Sequence, residues 1–135
     1  MEVIEDFAEK HVLQVHALYQ REWWTKGRTV EQTRNCISGS QICIGVLASD
    51  GNVIGFTRVL TDFTFKAIIF DVIVEESHRG HGIGERLISL VKSHKKLRSV
   101  THFELYGLPE LIPFYKKHGF TTEVGGIALM RCENA

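Results

Sequence analysis

Val72-Ile73-Val74-Glu75-Glu76-Ser77-His78-Arg79-Gly80-His81-Gly82-Ile83-Gly84-Glu85-Arg86-Leu87 passes from a β-branched run through a glycine-rich turn into a helical pattern. At a helix start the first N–H groups have no intrahelical partner and the peptide dipoles sum to a positive pole. An anion such as a pyrophosphate can therefore replace the missing acceptors. Gly80, Gly82 and Gly84 omit the Cβ atoms that would keep an anion off the main chain. The stretch predicts a strand, a main-chain anion cradle and a helix, in that order.

Downstream, Ile83, Leu87, Ile88, Leu90 and Val91 recur at helical spacing, predicting a helix that ends near the cations His94, Lys95 and Lys96. Residues 100–105 return as a strand. A strand, helix and strand joined this way form a right-handed βαβ unit, so residues 67–74 and 100–105 are expected as parallel neighbours. Phe114 to Gly119 reads as a helix end with Gly119 as its left-handed cap and Pro113 as its first residue. Were the helix to start at Pro109 instead, its first turn would be irregular, because Pro113 removes an internal hydrogen bond. Residues 120–124 and 127–130 flank Gly125-Gly126, a two-residue hairpin signal.

Upstream, Val3-Ile4 is a short strand, and Phe7, Val12, Val15, Leu18 and Tyr19 follow at helical spacing. Residues 23–28 read as a loop. Thr29 with Gln32 forms a capping-box pattern opening a second helix to about Ser38. Residues 42–47 and 53–60 are β-rich and separated by Ser49-Asp50-Gly51-Asn52, so with residues 67–74 they predict a three-stranded antiparallel meander.

The chain of 135 residues suits one domain spanning residues 1–135. Hydrophobic residues make up 44% and charged residues 24%, an ordinary globular composition. Lys plus Arg and Asp plus Glu number 16 each, so no net field draws nucleic acid or an anionic membrane. No run approaches the ~18 apolar residues of a membrane span and the first residues lack a signal-peptide pattern, so the cytoplasm is the expected compartment. Cys36, Cys43 and Cys132 lack C-x-x-C spacing and are expected as small core residues. His78 and His81 have no further His or Cys at ligand spacing, and no metal is expected.

A Walker loop needs Gly-Lys before Ser or Thr, whereas Gly84 is followed by Glu85-Arg86. A Rossmann fingerprint needs G-x-G-x-x-G after a first strand, whereas G-x-G-x-G here follows at least three strands. The pattern Arg79-x-x-Gly82-x-Gly84, between an apolar strand and a helix, resembles motif A of the Gcn5-related N-acetyltransferases (GNAT). Tyr115-x-x-x-Gly119-Phe120 is similar to the family's motif B. The likeness in element order covers nearly the whole chain.

The resemblance implies an α/β (α+β) fold with a mixed, mostly antiparallel sheet of about six to seven strands flanked by about four helices. It implies acetyl-CoA as acyl-donor cosubstrate and a small-molecule or peptide amine as acceptor, with a homodimer common in the family. Main-chain groups of Val72, Ile73 and Val74 would bond the acetyl carbonyl and the pantetheine arm. The amides of Arg79, Gly80, His81, Gly82, Ile83, Gly84 and Glu85 would hold the pyrophosphate. Tyr115 would protonate the leaving thiolate. One departure is Gly107, which stands where motif B often has an asparagine.

Asp71 interrupts the apolar run of a central strand, where a carboxylate must find a partner. It is a candidate general base or amine ligand; alternatively it forms a structural ion pair with Arg58, which antiparallel registration brings within diagonal reach. Glu22, Trp23 and Trp24 lie in the loop that resembles the family's acceptor wall, and an indole face can hold a cation. Either tryptophan can equally be core. The function expected is acetyl transfer to a primary amine; the alternatives are a non-catalytic acyl-CoA-binding sensor or regulatory module and a nucleotide-binding oxidoreductase.

Overall fold

All six residues of β2 (Ile42–Leu47) are buried, because helices cover both faces of the sheet in which it lies. The computed structural model describes residues 1–134. In chain order the other elements are β1 (Glu2–Ile4), α1 (Glu9–Gln20) and α2 (Val30–Ser38) before β2, then β3 (Val53–Thr61), β4 (Lys66–Val74), α3 (Ile83–Lys92), β5 (His102–Leu105) and α4 (Ile112–Lys116). The strands form one sheet in the order β1-β2-β3-β4-β5, antiparallel except for the parallel β4–β5 pair. The expected meander and βαβ arrangement are both present.

Successive strand residues face opposite ways, and the core divides accordingly. On one face Ile42, Ile44, Ile54, Val59 and Ile69 pack against Ile83, Leu87, Ile88 and Val91 of α3. On the other, Cys43, Phe56 and Ile73 pack against Val15, Leu18 and Tyr19 of α1. Gly55 sits beneath the start of α3: a Cβ there would lie 2.7 Å from Ile83 Cγ2. Only glycine lets the helix start lie this close to β3.

The local signals behave as their chemistry requires. The Thr29 hydroxyl accepts from the Gln32 amide at 3.0 Å while the Gln32 side chain accepts from the Thr29 amide at 2.9 Å, completing the capping box. Gly51 takes a positive φ of 86° in the β2–β3 turn. Asp62 organises the β3–β4 turn by accepting from the amides of Thr64, Phe65 and Lys66. Those three bonds hold its carboxyl below the usual carboxylate range.

Four expectations are corrected. α3 stops at Lys92 instead of reaching the later cations, because Ser93 donates back to Ser89 O and the chain turns through a 3-10 segment, Lys95–Leu97, that buries Leu97. A 3-10 turn, Pro109–Leu111, precedes α4, so Pro113 is the second residue of α4, where its missing N–H costs nothing. Cys132 is exposed, not core; Cys43 is buried and Cys36 half-buried.

The fourth concerns strand number: five strands form among the described residues, not six to seven. Gly125 and Gly126 adopt φ of 70° and 80° and Ile127 N–H reaches Val124 O at 3.4 Å, so the hairpin turn exists. Its arms are not strands. Two strands alone are marginal in water, and a groove of about 850 Å³ separates these arms from β5.

Candidate active site

β4 outruns β5. The last parallel pair is Ile69 with Leu105, so Phe70, Asp71, Val72, Ile73 and Val74 continue beyond it with no strand on that side. The open edge leads through the Glu76–His78 turn to the N-terminus of α3. It offers main-chain groups to an extended ligand in the manner of an added strand. Val74 O is already engaged, accepting from Arg79 Nε at 3.1 Å.

At the end of this opening the chain winds through Gly80 and Gly82, both left-handed with φ of 82° and 78°. Among the described residues, the amides of Gly80, His81, Gly82, Ile83, Gly84 and Glu85 have no acceptor within the protein, whereas Arg79 N–H bonds Glu76 O and Arg86 N–H bonds Gly82 O. Six consecutive free donors at the positive end of a ten-residue helix make a built anion cradle. No atom lies within 4 Å of where a Cβ would stand on Gly80 or Gly82.

α4 closes the other side. Phe114 Cζ would lie 3.5 Å from a Cβ on Gly84, and Tyr115 Cδ2 3.9 Å from one on Gly107. The two sequence motifs thus converge, and a Cβ on Gly107 would stand in ordinary contact with Leu105 and Tyr115. Tyr115 packs edge-on against Phe114 and Phe120. Its hydroxyl makes no hydrogen bond within the described residues and is not sealed from solvent. Burial of the ring pushes the phenol above its ordinary pKa, so it remains a proton donor at neutral pH.

Asp71 occupies a bulge, with a φ of 58° and a register shift opposite Thr57. The extra residue re-aims the strand: Ile69 faces the α3 layer and Ile73 the α1 layer. The Asp71 carboxylate accepts from Arg28 at 2.7 and 3.3 Å, from Arg58 Nε at 2.7 Å and from the Tyr19 hydroxyl at 2.8 Å. The ion pair with Arg58 is therefore present, joined by Arg28 and Tyr19, which the sequence reading did not connect to it. Burial alone would raise the Asp71 pKa, but the two guanidinium groups outweigh it and hold the carboxyl below its usual range. For Tyr19, burial first and then the Asp71 charge push the phenol far up.

Glu22 and Arg79 are brought together, with the Arg79 guanidinium 2.5 Å from Glu22 Oε1. They line a cleft of about 120 Å³ beside Ile73 and Val74, with Arg21, Glu75 and Glu76. Trp24 packs on the α1-side core, whereas Trp23 is 75% exposed. His81 Nδ1 lies 3.2 Å from His78 O, within the loop. Among the described residues no three His, Cys, Asp or Glu side chains gather to hold a metal ion, and no helix is long and apolar enough to cross a membrane.

The family model for the acetyltransferase (GNAT) domain matches residues 40–122, from β2 through α4. The chain belongs to the GNAT family. A Prochlorococcus marinus protein named "Uncharacterized N-acetyltransferase ycf52-like" is 28% identical over 118 residues, covering 85% of this chain and 65% of the relative. "Serotonin N-acetyltransferase 2, chloroplastic" of Oryza sativa is 27% identical over 110 residues, covering 77% and 55%. The chain thus spans less than two thirds of either relative's length. A GNAT-family putative acetyltransferase from Xanthomonas campestris superposes with a TM-score of 0.82 at 26% identity, covering 99% of this chain and 94% of its own. This GNAT domain accordingly carries the family's mixed α/β sheet with four α-helices.

Proposed function

We propose that this GNAT domain transfers the acetyl group of acetyl-CoA directly to a primary amine. The observation that carries the reading is the run of six unpartnered amides, from Gly80 to Glu85, at the end of the open β4 edge. A ligand with a pyrophosphate at one end and an extended amide-bearing arm fits both features at once. When bound, acetyl-CoA supplies a thioester whose carbonyl the amine attacks and whose sulfur departs.

The chain's own groups supply the rest. The amides of residues 80–85 bind the phosphates, and the main chain of Val72, Ile73 and Val74 orients the arm and polarises the carbonyl. Tyr115, neutral and unengaged, donates its proton to the departing sulfur. The cleft beside Val74 carries Glu22, Glu75 and Glu76 against Arg21 and Arg79, an excess of carboxylate that suits a cationic amine, which gives one proton to solvent before attack and a second, after attack, back to the Tyr115 phenolate. Asp71, with its oxygens held by three side chains, keeps Arg28, Arg58 and the bulge in place.

The test is release of free thiol from acetyl-CoA across a panel of small amines and amine-bearing peptides. Amine-dependent release that falls in Tyr115→Phe supports transfer. Tight CoA binding without release for any amine supports the sensor reading instead.

A further inference from the structure

One guanidinium group, that of Arg79, stands at the junction of three features. Its Nε donates to Val74 O at 3.1 Å and its Nη2 donates to Glu22 Oε1 at 2.5 Å. Val74 lies on the stretch of β4 beyond its last pair with β5, and Glu22 is a carboxylate of the cleft beside it. The residue after Arg79 begins the run of free amides. Arg79 thus touches the strand edge and the cleft while it adjoins the anion cradle.

The two partners of this ion pair differ in freedom. The main chain holds Glu22 in place: its amide donates to Tyr19 O at 3.3 Å, and its carbonyl accepts from the amide and hydroxyl of Thr25 at 3.1 and 3.4 Å. Tyr19 and Thr25 are both buried. The Glu22 side chain is 20% exposed and that of Arg79 53%. Among the described residues the Arg79 side chain bonds nothing beyond Val74 O and Glu22, so rotation about its own torsions frees it without moving the backbone. An ion pair so exposed is weak, whereas a diphosphate in the adjoining cradle offers a guanidinium paired, charge-assisted bonds. Arg21 is held on Glu75 at 3.2 Å, so departure of Arg79 leaves the Glu22 carboxylate without a cation.

We propose that Arg79 is a latch between the two cosubstrate sites: in the free chain it closes on Glu22 and Val74 O, and in the CoA complex it turns to the diphosphate, releasing Glu22 to hold the ammonium group of the acceptor. The inference rests on the acetyl-transfer reading and adds a regulation to that site. Glu22 exchanges one cation for another, so the acceptor amine and Arg79 compete for the same carboxylate. Such coupling is reciprocal: an amine seated on Glu22 favours the Arg79 position that grips CoA. A neutral acceptor gains nothing from the freed carboxylate, so the latch selects acceptors that arrive as cations.

Calorimetry with CoA alone tests the latch before any acceptor is known. Glu22→Gln removes the competitor for Arg79, so CoA should bind about 2–5-fold tighter than to the wild type, the value of an exposed ion pair. Arg79→Gln should weaken CoA binding about 10-fold, and adding Glu22→Gln to it should bring no gain, which closes the double-mutant cycle. Tighter binding on loss of a charge is not a result that damaged folding produces. At saturating acetyl-CoA, Glu22→Gln should raise KM for the best amine of the panel by about 2–5-fold, opposite in sign to its effect on CoA. Equal or weaker CoA binding by Glu22→Gln, a gain that persists without Arg79, or an unchanged amine KM overturns the latch and leaves acetyl transfer standing. A wild-type chain that binds no CoA overturns the acetyl-transfer reading and the latch with it.

Discussion

Arg58 Nε donates to Asp71 Oδ2 at 2.7 Å across the β3–β4 bulge, and Arg28 reaches the same oxygen at 2.7 Å from the loop after α1. One carboxylate thus ties the sheet to the helical layer above it. Asp71→Ala leaves two guanidinium groups without it, and the expected loss is about 3 kcal/mol, near the low end for breaking a buried pair because Arg28 keeps some solvent. Because the folded-state pKa of Asp71 lies below its unfolded value, its contribution is complete above about pH 4 and disappears as pH falls through the folded value. Denaturant titrations between acid and neutral pH check this: Asp71→Asn should remove part of the acid slope.

The reasons why some of this was readable in the sequence are physical. The Thr29–Gln32 box and the glycine cradle are local, with their chemistry written within a few residues. Asp71 announces itself as a charge in an apolar strand, and antiparallel registration supplies Arg58. Arg28 and Tyr19 are 43 and 52 residues away in sequence, and no periodicity connects a loop arginine to a strand carboxylate. The role of Gly55 was equally hidden, because the helix that needs its missing Cβ comes later in the chain. The C-terminal hairpin divides along the same line: its Gly125-Gly126 turn is coded locally and is present, whereas its arms form no strand among the described residues.

Tyr115→Phe should lower turnover about 100-fold while leaving CoA affinity unchanged, as expected for a proton donor that acts only as the sulfur departs. Steady-state kinetics paired with CoA calorimetry separate the two effects. A weaker CoA complex with unchanged turnover would make the phenol a packing residue.

Gly55→Ala places a methyl group 2.7 Å from Ile83 Cγ2. Ile83 is buried and β-branched, so the helix start must move. Overpacking of this kind costs about 1–3 kcal/mol, and losing one well-aimed amide bond to a phosphate costs about tenfold in affinity. Thermal melts and CoA titration should therefore both respond to a residue remote from the ligand. Unchanged CoA affinity in a destabilised variant would show that the cradle tolerates displacement.

Trp23 is exposed beside a loop whose Glu22 pairs with Arg79, so its indole contributes little to the core. Trp23→Ala should change stability by no more than about 0.5 kcal/mol. If the indole forms part of the acceptor wall, the same variant raises KM for a cationic amine by about 2–5-fold, the value of an exposed cation–π contact. KM for acetyl-CoA should stay constant. Varying each substrate in turn checks the split, and an unchanged amine KM across the panel removes Trp23 from acceptor binding.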